Sequence, residues 1–344
     1  MQNNAVGKSF GRVNLLGEHL DYNGGFVMPL QLKLGVETKI SENKQSNKIT
    51  IRSNDYDDIF ETNRLESKNH HWSDFALGSC KYVRDKYQID IKDINIDISS
   101  DLPIGIGLSS SAAMNVSILK SLVKYFKIEM SEIELANAAF DVENKFVGVG
   151  GGIMDQYASV FGESSKALYL NTLNNEYEKI PLFNSSTFLI IDSGIKRILE
   201  KSDFNKKKAL CISAAKKLKV DFLSNISDFK IIDSNLLNKN EYKVTKHVVT
   251  ENIRTKNGKD ALISNNYKYF GELMTQSHNS LAKDFKVSID ELDTIVRLCN
   301  EYGAYGAKLT GAGFGGAVVT LIKNDKVEEF KKNIVKRYNK AKFV

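Results

Sequence analysis

The sequence predicts an α+β protein that folds as two domains. Its 344 residues exceed the size of one typical core, and two domains that lie side by side leave a cleft where a ligand can bind. Apolar and polar residues alternate from Ile94 to Ile98, as is typical of a half-buried strand, whereas apolar residues recur at helical spacing from Leu119 to Phe126. Because both periods occur in one chain, we expect sheets that are covered by helices.

Composition places the chain among ordinary globular proteins. Hydrophobic residues make up 42% and charged residues 26%, which suffices for a buried core and gives no reason to expect disorder. The net charge of +6 comes from lysines spread along the chain, without the dense basic run that marks nucleic-acid contact. We therefore expect no nucleic-acid partner.

Cysteine spacing and the lack of long apolar runs bear on where the protein works. Cys80, Cys211 and Cys299 are far apart and have no neighbouring histidines, which argues against a disulfide framework and a zinc site. The N-terminus lacks a charged segment followed by an apolar one, and no apolar run approaches the length of a membrane-spanning helix. We expect a cytoplasmic, monomeric protein without a membrane partner.

The first stretch that carries chemistry lies between two apolar runs near the N-terminus. Glu18, His19 and Asp21 stand beside the turn-forming residues 23–25, so they are predicted to project from one loop. Carboxylates accept hydrogen bonds from neighbouring hydroxyls, and a neutral imidazole donates or accepts, so this set suits a polyol such as a sugar. A solvated turn between two strands is the alternative, and the apolar runs on both sides argue against it.

Strand patterns continue after this loop and lead to the predicted domain boundary. Residues 35–60 alternate in the manner of antiparallel strands that are joined by a polar turn. Near Gly162 the composition shifts toward lysine, asparagine and serine. We therefore predict an N-terminal domain over residues 1–162 and a C-terminal domain over residues 163–344.

A loop of small residues joins the strand near Ile98 to the helix that follows it. The loop contains Gly105 and Gly107 and then the serines at 109–111. Unpaired amide N–H groups and the positive end of the helix dipole meet at a helix start, and glycine lets an anion approach the backbone, so the loop can cradle phosphate. A plain strand-to-helix turn capped by serine is the alternative. The spacings of the P-loop and of the dinucleotide-binding fingerprint are absent.

A capping box from Ser131 to Glu134 predicts the start of the next helix. Its inward face reads Ile133, Ala136 and Phe140, and the same stripe continues into Glu143. A carboxylate on an apolar stripe is costly to bury unless it pairs with a cation or binds a metal. Glu143 is therefore a candidate metal ligand.

Asp155 follows a glycine-rich turn and precedes another apolar run. Because the turn delivers this carboxylate at the start of a new element, Asp155 is a candidate general base. The alternative is an ordinary helix N-cap, since aspartate is a favoured capping residue.

The last recognisable stretch is rich in glycine. A second capping box, from Ser288 to Glu291, predicts a helix that ends near Gly303. Residues 308–322 then read as a strand, a tight glycine turn and a second strand. A tight hairpin explains these glycines without any ligand, and a flexible loop that covers a bound triphosphate explains them equally well.

Taken together, these motifs resemble the GHMP kinase superfamily and, more narrowly, its galactokinases. The resemblance covers nearly the whole chain, and the five matching stretches occur in family order. They are Gly11 to Gly25, Gly105 to Ala113, Gly152 to Gln156, Lys246 to Glu251, and Leu309 to Gly316.

The resemblance implies a two-domain GHMP kinase fold with its active site in the cleft. The N-terminal domain would hold a mixed sheet with helices, and the C-terminal domain would be a ferredoxin-like α/β sandwich. The implied reaction is phosphorylation of the anomeric hydroxyl of galactose with ATP and Mg²⁺. A small-molecule sugar and ATP are thus the expected ligands.

Residue roles follow from the resemblance, position by position. Asp155 would accept the proton of the sugar hydroxyl. Arg12 would stabilise the Asp155 carboxylate and the charge that develops on the transferred phosphoryl group. Mg²⁺ would be held by Ser111 and Glu143. The sugar would be bound by Glu18, His19, Asp21, Gly152 and Phe204. The nucleotide would lie against Gly105, Ile106, Gly107, Leu108, Ser109, Ser110 and Ser111, and Ser53 and Trp72 would line the nucleotide side of the site.

The chain departs from the family at a few positions, of which Phe204 matters most. Galactokinases normally have a tyrosine there, whose hydroxyl contacts the sugar, so one hydrogen bond worth about 1–3 kcal/mol would be lost. Leu20 replaces the usual threonine and Gly151 the usual cysteine. A kinase for a related sugar such as N-acetylgalactosamine is therefore the close alternative. A non-catalytic galactokinase-like sensor and a mevalonate-type kinase are the more distant ones.

Overall fold

The computed structural model describes residues 4–44, 47–66, 72–197 and 201–344. Strands and helices alternate along these residues. The strands are β1 (Asn4–Asn14), β2 (Phe26–Val27), β3 (Pro29–Glu42), β4 (Ile49–Ser53), β5 (Tyr56–Thr62), β6 (Ile94–Ser100), β7 (Lys166–Asn171), β8 (Tyr177–Pro181), β9 (Ser186–Asp192), β10 (Gly306–Thr310), β11 (Ala317–Lys323) and β12 (Lys342–Phe343).

Helices of the described residues differ widely in length, from short turns to one of 25 residues. None of the helices in these ranges is both long and apolar enough to cross a bilayer. The α-helices are α1 (Asp74–Tyr87), α2 (Ser110–Tyr125), α3 (Glu132–Asp141), α4 (Met154–Phe161), α5 (Lys201–Lys217), α6 (Lys239–Ile263), α7 (Tyr267–Ser280), α8 (Asp290–Glu301) and α9 (Val327–Arg337).

Contacts divide the chain into two compact units that are not continuous in sequence. The first unit contains the described residues within 1–12, 31–102 and 109–162, and the second contains 13–30, 103–108 and the described residues within 163–344. One border of this division lies between Gly162 and Glu163. The second unit also includes the loop after β1 and the glycines that precede α2. Domains over 1–162 and 163–344 stay a prediction about the folding units.

The first unit has a sheet whose centre is β3. Strand β3 pairs antiparallel with β6, β6 pairs parallel with β4, and β4 pairs antiparallel with β5, while β1 pairs with β3. The predicted strand is confirmed, because Ile94, Ile96 and Ile98 are buried in β6. Helix α2 packs against α1, α3 and α4 and buries Leu119 and Leu122 completely, as its spacing predicted.

The second unit contains a four-stranded antiparallel sheet in the order β10-β11-β9-β12, and α7 and α8 pack against β10. Every residue of β10 is buried. In the same unit β7 pairs with β2 and β8, and the long helix α6 packs against α5 and α7. The presence of both sheets and helices in each unit confirms the predicted α+β class.

Helix starts were predicted with mixed success. The capping box of α3 is confirmed, with Ser131 and Glu134 bonded reciprocally. The predicted box before α8 is wrong: Ile289 is the N-cap, and the Ser288 hydroxyl bonds Asp293 instead of a backbone N–H. This helix therefore begins one residue later than the pattern indicated.

Candidate active site

Arg12 and Asp155 form an ion pair within the first unit. Arg12 lies near the end of β1, and Asp155 lies in the first turn of α4. The Arg12 Nε donates to Asp155 Oδ1 at 2.7 Å and the Nη2 donates to Oδ2 at 2.9 Å, a bidentate pairing. The arginine side chain is 6% exposed and the aspartate side chain 27%. The carboxylate is thus held rigidly and still faces open space.

Ser109 adds a third hydrogen bond to the same carboxylate. Its hydroxyl donates to Asp155 Oδ2. Ser109 is the N-cap of α2 but makes no side-chain capping bond, and its φ of 60° is left-handed, which is uncommon for serine. Ser109 therefore holds the N-cap position that the alternative predicts for a serine, but its hydroxyl bonds Asp155 and does not cap the helix. Asp155 is not an N-cap either, because Ile153 holds that position.

Glu143 is buried next to the first turn of α2. Helix α3 ends at Asp141, and Glu143 lies in a π-helical turn, Val142–Val147. The predicted stripe is wrong at Ile133, which is 56% exposed in the first turn of α3. Ser111 Oγ lies 3.4 Å from Glu143 Oε1, and the amide of Gln156 donates to Oε2. Burial and the nearby negative charge of Asp155 raise the pKa of Glu143 to about 7.

Glu18 is enclosed by polar groups of the second unit. Its Oε1 accepts from Lys308 Nζ at 3.0 Å and from the Gly311 N–H at 2.9 Å, and its Oε2 accepts from Asn14 Nδ2 at 3.2 Å. Glu18 is 2% exposed and Lys308 is fully buried. Lys308 also donates to the Asn14 carbonyl. Glu18, one of the predicted sugar-binding residues, is therefore bonded directly to Gly311 of the third glycine-rich motif.

His19 is a neutral, buried imidazole with a strained backbone. Its φ is 64°, and its Nδ1 lies 2.9 Å from the Tyr22 hydroxyl. Burial, assisted by the charges of His247 and Arg197, holds the pKa of His19 well below its ordinary value. A neutral imidazole can accept or donate a hydrogen bond at neutral pH, as recognition of a sugar hydroxyl requires.

Phe204 belongs to a cluster of rings around His19. It lies on α5, half-buried, with its ring centroid 5.4 Å from Tyr22 and 6.0 Å from His19. The ring centroid of Phe285 lies 4.5 Å from that of His19. Asp21, in the loop before β2, is half-buried. The structure thus brings His19 and Phe204 together within one unit.

The glycines of the predicted phosphate loop have the backbone conformation that the interpretation requires. Gly105 and Gly107 have φ values of 82° and 85°, which residues other than glycine rarely adopt. Both belong to the second unit with Ile106 and Leu108, whereas Ser109, Ser110 and Ser111 belong to the first. Positive φ values also occur throughout the third motif, at Gly311, Gly313, Gly315 and Gly316.

Three further predicted residues have less structural support. Gly152 is half-buried in the loop that leads to α4. Ser53 ends β4, and its hydroxyl accepts a hydrogen bond from the Asp55 N–H in a local turn. Trp72 is half-buried just before α1. Their roles toward sugar and nucleotide stay predictions.

Sequence reasoning missed the residues that hold the loop after β1. His247 Nε2 lies 3.1 Å from the Glu18 carbonyl, so this nitrogen is the donor, and Nδ1 accepts from the Ser280 hydroxyl. Glu251 accepts from the Gly17 N–H at 2.9 Å. Both lie on α6, within a stretch matched to the family but without an assigned role. Polar residues at helical spacing among the buried positions of α6 were the available signal.

Chemically, the two units supply different functions. In the first unit, a fixed carboxylate beside a guanidinium can orient a hydroxyl and accept its proton. A buried carboxylate beside a hydroxyl can hold a hard cation. In the second unit, a neutral imidazole, an aspartate and a ring can recognise a sugar, and glycine loops can approach phosphate closely.

Comparison with known families gives a consistent result along the chain. The N-terminal domain of the GHMP kinases matches residues 74–163, and their C-terminal domain matches residues 259–340. The galactokinase galactose-binding signature matches residues 2–41.

Individual proteins agree with the family matches. Galactokinase of Thermosipho africanus is 35% identical over 335 residues, which cover 96% of this chain and 93% of that protein. The crystal structure of Lactococcus lactis galactokinase complexed with galactose superposes with a TM-score of 0.93 at 30% identity, covering 99% of this chain and 92% of the other. Mevalonate kinase of Methanococcus jannaschii shares the fold, with a TM-score of 0.71 at 24% identity, covering 99% and 96%.

Proposed function

Because this chain belongs to the galactokinases, a family of GHMP kinases, we propose that it transfers the γ-phosphoryl group of ATP to the anomeric hydroxyl of galactose. The observation that carries this proposal is the bidentate pair of Arg12 and Asp155, with Ser109 as a further donor. A carboxylate so fixed is a suitable acceptor for the proton of a reacting hydroxyl.

The reaction forms one bond and breaks another. The anomeric oxygen O1 bonds to the γ-phosphorus, and the bond from that phosphorus to the bridging oxygen of ADP breaks. The O1 proton passes to the Asp155 carboxylate, which becomes neutral, and the guanidinium of Arg12 offsets the negative charge that develops on the transferred phosphoryl group. Positioning and charge supply most of the catalysis in phosphoryl transfer.

Sugar recognition is assigned to residues of the loop after β1. His19 and Asp21 would bond sugar hydroxyls, and Gly152 would allow close approach of the sugar to the loop before α4. Glu18 already accepts three hydrogen bonds from the protein, which leaves its carboxylate little capacity for a sugar hydroxyl. Phe204 offers a ring in place of the family hydroxyl, so it would contact a carbon face of the sugar.

ATP is assigned to the loop from Gly105 to Ser111. Gly105 and Gly107 have positive φ values and no side chains, so a phosphate can approach their backbone closely, and α2 begins at Ser110 within the same loop. Ser53 and Trp72 would line the base side of the nucleotide.

Magnesium is assigned to Ser111 and Glu143. The raised pKa of Glu143 reflects a carboxylate that is buried near a second one, and such a group is stabilised by a cation. Within the described ranges no three acidic, histidine or cysteine side chains cluster as a metal cage. Mg²⁺ needs no such cage, because it keeps waters and binds phosphates. When bound, it neutralises charge on the nucleotide phosphates.

A coupled assay of ADP release tests the proposal. The substrates are galactose, N-acetylgalactosamine, arabinose, galacturonate and mevalonate, each with ATP and Mg²⁺. We expect turnover with galactose, and faster turnover with N-acetylgalactosamine would favour the related sugar kinase. Binding of ATP and sugar without turnover of any of them would favour the sensor and overturn the proposed activity. The cytoplasmic location and monomeric state stay predictions.

A further inference from the structure

The segment from Ser193 to Arg197 joins the two glycine-rich motifs of the second unit through its backbone. The Arg197 N–H donates to the Gly105 carbonyl at 2.9 Å. The Gly316 N–H donates to the Ile195 carbonyl at 2.9 Å, and the Ser193 N–H donates to the Gly316 carbonyl at 3.0 Å. The start of the predicted phosphate loop and the end of the third motif are therefore bonded to one short segment that follows β9.

The side chain of Arg197 lies against the same glycines. A Cβ atom at Gly107 would lie 2.8 Å from Arg197 Nη1, and one at Gly311 would lie 3.5 Å from the same nitrogen. A Cβ atom at Gly316 would lie 3.1 Å from Arg197 Cδ. The guanidinium of Arg197 thus lies where side chains at Gly107 and Gly311 would otherwise be, between the predicted phosphate loop and the third motif. Ordinary residues at Gly107 or Gly316 would displace it.

The charge of Arg197 also reaches the predicted sugar residues. It is one of the positive charges that lower the pKa of His19. Arg197 is half-buried, so its charge is screened less than that of an exposed arginine. One guanidinium therefore lies against a loop suited to phosphate and also acts electrostatically on an imidazole suited to a sugar.

We propose that Arg197 is a catalytic residue that binds the terminal phosphates of a nucleoside triphosphate lying against Gly107 and Gly311. This inference rests on the proposed function for the identity of the ligand. Arginine presents several N–H donors in a rigid fork that matches phosphate oxygens, and it stays protonated throughout the reaction. Its contacts strengthen as negative charge builds up on the oxygens of the transferred group, so they stabilise the transition state.

Binding and kinetics of Arg197→Met test the proposal, with Arg297→Met as a matched control. Arg297 is exposed on α8 and paired with Glu301, so its loss removes the same charge from the protein surface. Calorimetry without sugar measures the affinity for ATP and for adenosine. We expect Arg197→Met to lower the affinity for ATP on the order of tenfold to a hundredfold and to leave the affinity for adenosine unchanged. Its kcat should fall on the order of a hundredfold or more.

The outcomes separate a phosphate contact from a purely structural role. If Arg197 only holds the two glycine-rich motifs in place, Arg197→Met would lower the affinity for ATP and for adenosine alike and would also lower Tm. That result would overturn the proposal. Unchanged ATP affinity and kcat also overturn it. If Arg197→Met does not fold, Arg197→Lys, which keeps the charge but loses the fork, should fold and show an intermediate loss of ATP affinity. Wild-type protein that binds ATP but phosphorylates no sugar refutes the proposed function and leaves the binding comparison valid.

Discussion

Lys308 Nζ and Glu18 Oε1 lie 3.0 Å apart, and neither side chain is more than 2% exposed. The pair joins strand β10 to the loop after β1, and the Gly311 N–H adds a bond to the same oxygen. A buried ion pair contributes little net stability but is costly to break, because the remaining charge loses its partner. The pair therefore fixes the position of one motif relative to another within the second unit.

Lys308→Met should destabilise the protein by about 3–5 kcal/mol, because it leaves the Glu18 carboxylate buried and unpaired. Urea unfolding followed by circular dichroism measures the change. Adding Glu18→Gln in the same chain should restore part of the loss. As a control, Lys323→Met removes an exposed ion pair with Asp325 and should cost less than about 1 kcal/mol. Equal effects of the two single changes would contradict the assigned role of the pair.

Asp155→Asn should lower kcat on the order of a hundredfold to ten-thousandfold, since the variant cannot accept the sugar proton. The affinity for ATP should stay close to that of the wild type. Asp141→Asn is the control, because Asp141 ends α3 in the same unit and pairs only with the exposed Lys145 side chain among the ion pairs described. Activity of Asp155→Asn near the wild-type level would remove Asp155 from its proposed role.

Phe204→Tyr should lower the KM for galactose by about fivefold or more, because the added hydroxyl can bond the sugar and each such bond contributes roughly 1 kcal/mol. Initial rates at varied galactose concentration measure this effect. Phe343→Tyr, on β12, adds the same hydroxyl elsewhere and should leave KM unchanged. An unaltered KM in Phe204→Tyr would show that the missing hydroxyl is irrelevant to galactose binding.

The stability of the protein should fall as pH drops from about 6.5 toward 4. Burial lowers the pKa of His247 to about 4 and that of His278 to about 4. In this window the unfolded chain binds protons that the folded chain excludes, so each histidine contributes a slope of up to about 1.4 kcal/mol per pH unit, and the stabilisation is complete above pH 6.5.

His247→Gln isolates one part of this slope. A glutamine amide can still donate to the Glu18 carbonyl that His247 Nε2 contacts, but it does not titrate. Urea unfolding at pH 7.5, 6 and 5 should therefore give a shallower pH dependence in the variant than in the wild type. The same slope in both proteins would exclude His247 as a source of acid sensitivity.

Local patterns predicted those features that depend on a few neighbouring residues. The alternation through Ile96, the capping box at Ser131 and the burial of Glu143 are all confirmed. The local geometry differs from the predicted helices at two points. A π-helical turn carries Glu143, and a one-residue shift replaces the predicted cap at Ser288. Helical periodicity assumes a constant number of residues per turn and cannot detect either event.

The α+β class and the identity of the chemical groups could be predicted from short stretches of sequence, because strand and helix periods and turn residues act locally. The partners of those groups depend on tertiary packing. Lys308 and Glu18 are 290 residues apart in the sequence, and Arg12 and Asp155 are 143 residues apart. Such pairs depend on how sheets and helices pack, since burial makes an unpaired charge too costly to leave without a partner. Packing therefore selected Lys308 as the counterion of Glu18, which no local pattern could indicate.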